Sequence, residues 1–317
     1  MAFQISDALE EDLKLFQISD DISGIQVQIL PDSGAQLHSF SIPSDNGRLQ
    51  VVDSYKSLAD LKKMQPQFHK GSKLSPFVCR IAAGKYSFEG NSFEFRNKFN
   101  DGNAIHGILF DKPFELVNQS IQEDQASLSF QYQYNQEDPA FPFNYIITVK
   151  YSLQKGGKLF IETTVKNISA TRIPLADGWH PYFNLGGRVN EWVLSFRSKK
   201  ILAFNDKLIP TGLYTDTDRF YSPKQIGDEM FDHCFLLEPA SAAASAVLEN
   251  PANGLRLSFY PDSHYSYLQI YTPPDRQSIA IENLSAAPDC FNNGLGLILL
   301  EPRDSQSFSV GYQLDFA

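Results

Sequence analysis

The chain reads YIITVKYSL over residues 145–153, QKGG over 154–157 and KLFIETTVKN over 158–167. In the two outer segments apolar and polar side chains alternate with a period of two, and both segments are rich in β-branched and aromatic residues. Turn-forming glycines separate them. The pattern predicts two antiparallel strands joined by a tight turn.

The same pattern recurs along the chain. Further segments of this kind are GIQVQIL (24–30), QASLSFQYQY (125–134) and SYLQIYT (266–272), and PDSG (31–34) and NPANG (250–254) are turn clusters. No long segment shows a 3.6-residue apolar stripe. So many hairpin-spaced strands predict an all-β protein built as a large antiparallel β-sandwich of two packed sheets.

Three short segments could be helical. They lie near residues 7–15, at SLADLKKMQ (57–65) and at the Ala-rich PASAAAS (239–245), which could equally be a loop. We find no linker, low-complexity tract or internal repeat. We therefore expect one domain over residues 1–317, in which residues 1–23 form a lead-in segment.

The amino-acid composition indicates which classes of molecule the protein can bind. The 317 residues are 42% apolar and 20% charged, with 25 Phe and 14 Tyr, which is enough to bury a sizeable core. The formal net charge is −10, and no run of Lys and Arg is longer than a pair. A nucleic-acid partner would need a basic stripe, so it is excluded, and a neutral sugar fits this acidic chain.

Cysteine usage and the N-terminus predict the compartment. The cysteines Cys79, Cys234 and Cys290 are odd in number, far apart and without CxxC spacing, so neither a disulfide framework nor a zinc site is indicated. The N-terminus has no basic region followed by an apolar run, and no segment is apolar over a bilayer's thickness. We expect a cytoplasmic protein without membrane contact, a monomer or weak homodimer.

The densest candidate cluster is DGWHPYFNLGG (177–187). His180 stands there between Trp179 and the Pro181–Tyr182–Phe183 run. Alone, it would be read as a core histidine that donates to a backbone carbonyl. Its aromatic neighbours favour a sugar site, since aromatic faces stack on the C–H faces of a sugar ring.

Two more candidates precede it. His106 lies in NAIHGILFDKPFE (103–115), followed by Gly107, which would allow close backbone approach or a positive φ. Arg80 lies in the otherwise apolar SPFVCRIAAGKYSFEG (75–90) and needs a partner if it is buried. A loop histidine and a structural salt bridge are the alternatives.

Two acids follow towards the C-terminus. Glu282 comes directly after the apolar run IAI in SIAIENLSAAPDCFNNG (278–294), well placed to act as a base, although most such acids are ordinary loop residues. Asp232 lies among apolar residues in EMFDHCFLL (229–237). A pair with Arg80 would compensate both charges.

In order and spacing, the segments CRIAAGKYSFEG, NAIHG, WHPYFNLGG, FDHCF, LQIYT and IENLSAAPD resemble the aldose 1-epimerase (galactose mutarotase) family over roughly residues 24–316. HPYFNL is the most specific piece. The resemblance implies the galactose mutarotase-like supersandwich, an isomerase of carbohydrate metabolism, and a sugar substrate. The sequence departs from the family pattern at Cys79, Ile108 and Cys234 and in the segment after Glu282.

The resemblance also assigns roles. Glu282 is implied as the base that takes the C1 hydroxyl proton, His180 as the acid that protonates the ring oxygen, and His106 as a second donor. Substrate hydroxyls would be held by Arg80, Asp232 and Gln269. Reference pKa values of about 4.3 for Glu and about 6.5 for His give a window in which an ionised Glu and a protonated His coexist.

This chemistry needs no cofactor and no metal. A divalent ion held by His106, His180 and Asp232 is the competing interpretation. Two other functions stay open: a non-catalytic carbohydrate-binding or sensing protein on the same fold, and a mutarotase for phosphorylated hexoses, which would want more Lys or Arg in the pocket.

Overall fold

The computed structural model describes residues 2–45 and 47–316. Over these residues the chain is a succession of strands with two short α-helices. The strands are β1 (Phe3–Glu10), β2 (Leu13–Asp20), β3 (Gln26–Leu30), β4 (Gln36–Ser44), β5 (Gly47–Gln50), β6 (Val52–Asp53), β7 (Ser72–Leu74), β8 (Arg80–Ile81), β9 (Lys85–Phe88), β10 (Asn91–Glu94), β11 (Ala104–Ile105), β12 (Glu115–Ile121), β13 (Gln125–Asn135), β14 (Asn144–Gln154), β15 (Lys158–Asn167), β16 (Ile173–Leu175), β17 (Gly178–His180), β18 (Tyr182–Phe183), β19 (Val193–Phe196), β20 (Ser198–Phe204), β21 (Pro210–Asp216), β22 (Lys224–Gln225), β23 (Asp232–Leu237), β24 (Ala246–Asn250), β25 (Leu255–Pro261), β26 (Tyr267–Tyr271), β27 (Ile279–Leu284), β28 (Ile298–Leu300) and β29 (Ser305–Phe316). The helices are α1 (Leu58–Phe68) and α2 (Cys290–Asn293), and single 3₁₀ turns lie at Ala82–Gly84 and Val189–Glu191.

The hairpin predicted at residues 145–167 is confirmed. β14 and β15 pair antiparallel from Tyr145 opposite Asn167 to Gln154 opposite Lys158. The turn places Gly156 and Gly157 at φ 85° and 79°, a region that glycine enters at little cost. Alternate residues of each strand, among them Ile147, Val149, Ile161 and Val165, face one side and are buried.

Two nine-stranded antiparallel sheets form the body of the protein. The first has the order β12-β13-β14-β15-β29-β25-β24-β19-β22. The second runs β21-β20-β23-β26-β27-β17-β7, with β18 and β6 paired beside β27. This arrangement confirms the all-β antiparallel sandwich.

Aromatic side chains join the inner faces of the two sheets. The ring of Phe183 on β18 lies 5.2 Å from that of Phe259 on β25 and 5.6 Å from that of Tyr312 on β29. Trp179 on β17 meets Tyr151 on β14 at 6.1 Å. Each such pair contributes about 0.5–1.5 kcal/mol beyond the burial of its area. Because Trp179 packs in this core, the backbone position of the next residue, His180, is held in place.

The helix expected near residues 7–15 is wrong. Strands β1 and β2 form a hairpin there, with Glu10 opposite Leu13, and they continue into a five-stranded sheet with β3, β4 and β5. Glu11 and Asp12 form the turn with φ values of 48° and 66°. Two consecutive positive φ values match the twist of a two-residue hairpin, so strand pairing overrides the local helix tendency of this acidic segment.

The helix expected at residues 57–65 is confirmed as α1. Ser57 caps it by accepting a hydrogen bond from the backbone N–H of Asp60 at 3.1 Å. His69 ends it in the left-handed conformation with φ 49°, donating its own N–H to Gln65 O. The Ala-rich segment 239–245 is a loop. Among the described helices, none is long and apolar enough to cross a membrane.

Candidate active site

Three neighbouring strands carry the polar face of the site. In the ladder β23-β26-β27, Cys234 lies opposite Gln269, and Gln269 lies opposite Glu282. Side chains directly opposite each other share one face of a sheet, and so do residues two apart on one strand. Asp232, two residues before Cys234, therefore projects to the same face.

His180 lies beside this face at the end of β17. Its Nε2 lies 3.4 Å from Glu282 Oε1, and both side chains are buried. His180 Nδ1 and Glu282 Oε2 are also buried, and neither has a hydrogen-bond partner among the described residues. Buried polar atoms are nearly always paired in folded proteins, so these two mark a site that a polar ligand completes.

A strained loop brings His106 to the same place. His106 has φ 59° and Gly107 has φ 78°. The Cβ of any other residue at Gly107 would lie 2.3 Å from Ser75 O, so the expected need for both a positive φ and close approach is confirmed. The His106 ring packs edge-on against the His180 ring with centroids 4.8 Å apart.

The suggested ion pair between Arg80 and Asp232 is wrong. Arg80 Nε donates instead to Asp101 Oδ2 at 2.8 Å, and Asp232 Oδ1 accepts from Gln269 Nε2 at 3.0 Å. Asp101 lies in the loop before β11, which pairs with the Arg80 strand, so the nearer carboxylate takes the guanidinium. Arg80 still acts on Asp232, since its positive charge opposes the rise that burial causes in the pKa of that carboxyl group.

Burial shifts the pKa values of His180 and Glu282 in opposite directions. Burial, reinforced by the charge of Asp232 and opposed by that of Arg80, raises the pKa of Glu282 well above its usual value. Burial and the neighbouring His69 lower the pKa of His180 to about 3. Both shifts favour the neutral forms, a carboxyl group and an imidazole, over the ionised Glu and protonated His that reference values predicted, because each charged form loses its hydration on burial.

Sequence reasoning missed His69 and left Tyr182 without a role. The His69 ring lies 4.8 Å from the His106 ring, and burial lowers the pKa of His69 to about 4. Tyr182 stacks on His180 at 5.0 Å with an interplanar angle of 13°. The only signal for His69 was its place at the end of α1, where a left-handed residue turns the chain back. Tyr182 stood in the HPYFNL motif.

A possible ligand set for a cation differs from the one considered from sequence. The Sγ of Cys79, a ring nitrogen of His106 and a carboxylate oxygen of Glu282 all lie within 4.8 Å of one another, and all three residues are buried. His180 and Asp232 do not belong to this group. Cys79 lies here because the backbone N–H of His106 donates to Cys79 O at 2.8 Å.

A sequence model of the family described as aldose 1-epimerase matches residues 14–313. The chain belongs to this family, which makes it a sugar epimerase and thus an isomerase, and the expected resemblance is confirmed.

Relatives and solved structures agree with this placement. YihR of Escherichia coli strain K12 is 27% identical over 243 residues, which cover 74% of this chain and 76% of YihR. The maltose epimerase of Levilactobacillus brevis is 22% identical over 96% of this chain and 95% of its own. A galactose mutarotase-like protein from Clostridium acetobutylicum shares the fold with a TM-score of 0.88 at 19% identity, over 100% of this chain and 99% of that one.

Proposed function

We propose that this protein interconverts the α and β anomers of a free aldohexose by acid–base-catalysed ring opening and closure. The observation that supports it best is the buried contact of 3.4 Å between His180 Nε2 and Glu282 Oε1, since both atoms face the site formed with His106 and Gln269. Opening a pyranose needs one group that accepts the proton of the C1 hydroxyl group and one that donates a proton to the ring oxygen. Both oxygens are bonded to C1, so two groups in contact can reach them together.

The reaction moves two protons in opposite directions. Glu282 accepts the proton of the C1 hydroxyl group while His180 donates one to the ring oxygen, and the C1–O5 bond breaks to leave an open-chain aldehyde. Rotation about C1–C2 presents the other face of the carbonyl carbon. Ring closure then runs through the same groups with their roles exchanged, so both groups regain their starting protonation.

Relative to a carboxylate and a neutral imidazole, the pair must hold one additional proton. With two additional protons, Glu282 has no oxygen that can act as a base. With none, His180 could donate a proton only by becoming an imidazolate. The raised pKa of Glu282 and the lowered pKa of His180 both favour the carboxyl group as the place of that proton. Its transfer across 3.4 Å gives the productive carboxylate and imidazolium without exchange with solvent.

The remaining polar groups suit the ring hydroxyls. Gln269 Oε1 is buried without a partner among the described residues, so it can accept a hydrogen bond from a substrate hydroxyl group. Asp232 offers an acceptor on the same face of the sheet as Gln269, and Arg80, whose charge lowers the pKa of both Asp232 and Glu282, offers a donor. We assign His106 as a second donor near the ring oxygen. No step of this mechanism runs through a cofactor or a metal.

Polarimetry tests the proposal. Freshly dissolved α-anomers of a panel of aldoses, of maltose and of hexose 6-phosphates would be followed with and without protein at equal concentrations. We expect acceleration for at least one free sugar. If the protein binds a sugar by calorimetry yet no panel member mutarotates faster than it does spontaneously, the proposal is wrong and the non-catalytic binding protein takes its place.

A further inference from the structure

Three potential metal ligands meet at the base of the site. Cys79 precedes β8, His106 follows β11, and Glu282 lies in β27, so separate parts of the chain supply them. Their ligand atoms all lie within 4.8 Å of one another. Zinc bonds of about 2.0–2.3 Å place tetrahedral ligands roughly 3.3–3.8 Å apart, so the three side chains need to approach by about 1.5 Å at most.

The ligand atoms are available. Cys79 is a free thiol, and the Nδ1 of His106 and the Oε2 of Glu282 are buried without a hydrogen-bond partner among the described residues. The three residues are only 5%, 8% and 1% exposed. The hydrogen bond from His106 N to Cys79 O at 2.8 Å already fixes two of the three backbones together.

The donor types select the ion. A thiolate, an imidazole and a carboxylate are the ligands of zinc, whereas magnesium and calcium prefer sets made of oxygen alone. We propose that Cys79, His106 and Glu282 bind Zn²⁺ and that the bound ion inhibits the epimerase. On binding, the Cys79 thiol and the Glu282 carboxyl group each release a proton to solvent, and the sulfur and a carboxylate oxygen become ligands.

Inhibition follows from the ligand set and rests on the proposed function. Glu282 is the proposed base, and a carboxylate oxygen bound to zinc is no longer free to accept the C1 proton. The ion also occupies space between His106 and Glu282 that the sugar ring needs. Sugar and zinc should therefore compete, and the protein should be most active in the presence of a chelator.

Cobalt(II) gives a test that does not depend on turnover. Chelator-treated protein would be titrated with Co²⁺, which binds zinc sites and shows a charge-transfer absorption when a thiolate is a ligand. We expect one equivalent to bind with this absorption, and saturating sugar to weaken it. In Cys79→Ser the absorption should vanish and zinc affinity should fall by at least the roughly 10- to 100-fold that loss of an outer-shell partner costs.

Cys234→Ser is the matched control. Cys234 is also buried, and the charge of Glu282 contributes to the rise in its pKa, but its sulfur is outside the ligand group. The Cys234→Ser variant should keep the cobalt charge-transfer absorption and the zinc affinity of the wild type. Circular dichroism would show that both variants are folded.

The outcomes separate the two proposals. No thiolate absorption in wild type, or its equal loss in both variants, overturns the zinc site. Full mutarotation by the zinc-saturated protein overturns inhibition. If no panel sugar is turned over, the proposed function fails while the cobalt titration still decides whether the metal site exists.

Discussion

His180 Nε2 and Glu282 Oε1 lie 3.4 Å apart in a buried contact. Burial lowers the pKa of His180 to about 3 and raises the pKa of Glu282 well above its usual value. Both shifts favour the neutral forms of the two groups, so in the proposed mechanism the charges needed for ring opening arise by moving one proton within the pair. The pair acts as a unit, so removing either member should remove most of the catalysis.

Glu282→Gln should leave a folded protein that binds sugar but hardly accelerates mutarotation. Glutamine keeps the shape and can hydrogen-bond hydroxyl groups, yet it has no oxygen basic enough to accept the C1 proton. A positioned base supplies a factor of roughly 10² to 10⁴, so turnover should fall by that amount with little change in affinity. Polarimetry and calorimetry measure the two quantities. Equal rates in wild type and variant would contradict the assignment.

The pH profile should reflect one proton on the pair. Because burial holds the pKa of His180 near 3, kcat/KM should stay flat through pH 6.5, where an ordinary imidazole titrates. It should decline on the alkaline side, as the pair loses its proton through the raised pKa of Glu282. Initial rates across buffers of constant ionic strength measure this. An acid limb centred near pH 6.5 would show that His180 titrates as an exposed histidine.

Asp101→Asn tests a positioning residue. Asp101 accepts from Arg80 Nε at 2.8 Å in a partly exposed pair, so loss of its charge should free the guanidinium that we assign to substrate hydroxyls. Partly exposed pairs are worth up to about 1 kcal/mol, which predicts a rise in KM of about two- to fivefold with kcat retained. Glu94→Gln is the control, because Glu94 pairs with Lys98 and not with Arg80. A fall in kcat with KM unchanged would contradict this role.

The sequence predicts those features that short segments determine. The β14–β15 hairpin and the helix at residues 57–65 both follow from local patterns. The N-terminal hairpin does not, because its turn uses Glu11 and Asp12 at positive φ, where glycine or asparagine is the usual signal.

Within the site, the features that depend on contacts between residues far apart in the chain cannot be predicted from local sequence patterns. Arg80 pairs with Asp101 because two loops are joined by a two-stranded ladder. His69 reaches His106 only through the end of α1. The pKa directions of Glu282 and His180 depend on burial, which period-two patterns indicate for apolar residues and not for polar residues inside a strand.

His38→Gln should weaken the loss of stability in acid. Burial lowers the pKa of His38 from 6.5 to about 4, so below pH 6.5 the unfolded chain takes up a proton that the folded chain refuses. This contribution to stability is complete above pH 6.5 and is lost between pH 6.5 and 4, with a slope of up to about 1.4 kcal/mol per pH unit.

Glutamine can keep the contact that His38 Nδ1 makes with Ser54 Oγ at 3.1 Å, while removing the titration. Urea unfolding at several pH values would measure the free energy of unfolding. In the variant, the free energy of unfolding should fall less steeply as the pH is lowered. Some slope should remain, because His69 and His180 also have lowered pKa values. An unchanged slope would mean that His38 is protonated in the folded protein.

Gly107→Ala should damage both stability and the site. Gly107 has φ 78°, and an added Cβ would lie 2.3 Å from Ser75 O and 2.6 Å from Ser75 N, which are backbone atoms that cannot move aside alone. The loop must shift, and His106 with it. Gly102→Ala is the matched control in the preceding turn, since its φ of 83° carries similar backbone strain but an added Cβ meets nothing within 4 Å among the described atoms.

The Gly102→Ala control separates the cost of a positive φ from the cost of the steric overlap between the added Cβ and Ser75. Positive φ alone costs a non-glycine residue of order 1–2 kcal/mol, so Gly102→Ala should lower the free energy of unfolding by about that amount and keep its activity. Gly107→Ala adds the collision, and we expect a loss at least about 2 kcal/mol larger, together with slower mutarotation because His106 is displaced from His180. Urea unfolding and polarimetry measure the two effects. If both variants lose the same stability, the close approach to Ser75 does not hold the His106 loop in place.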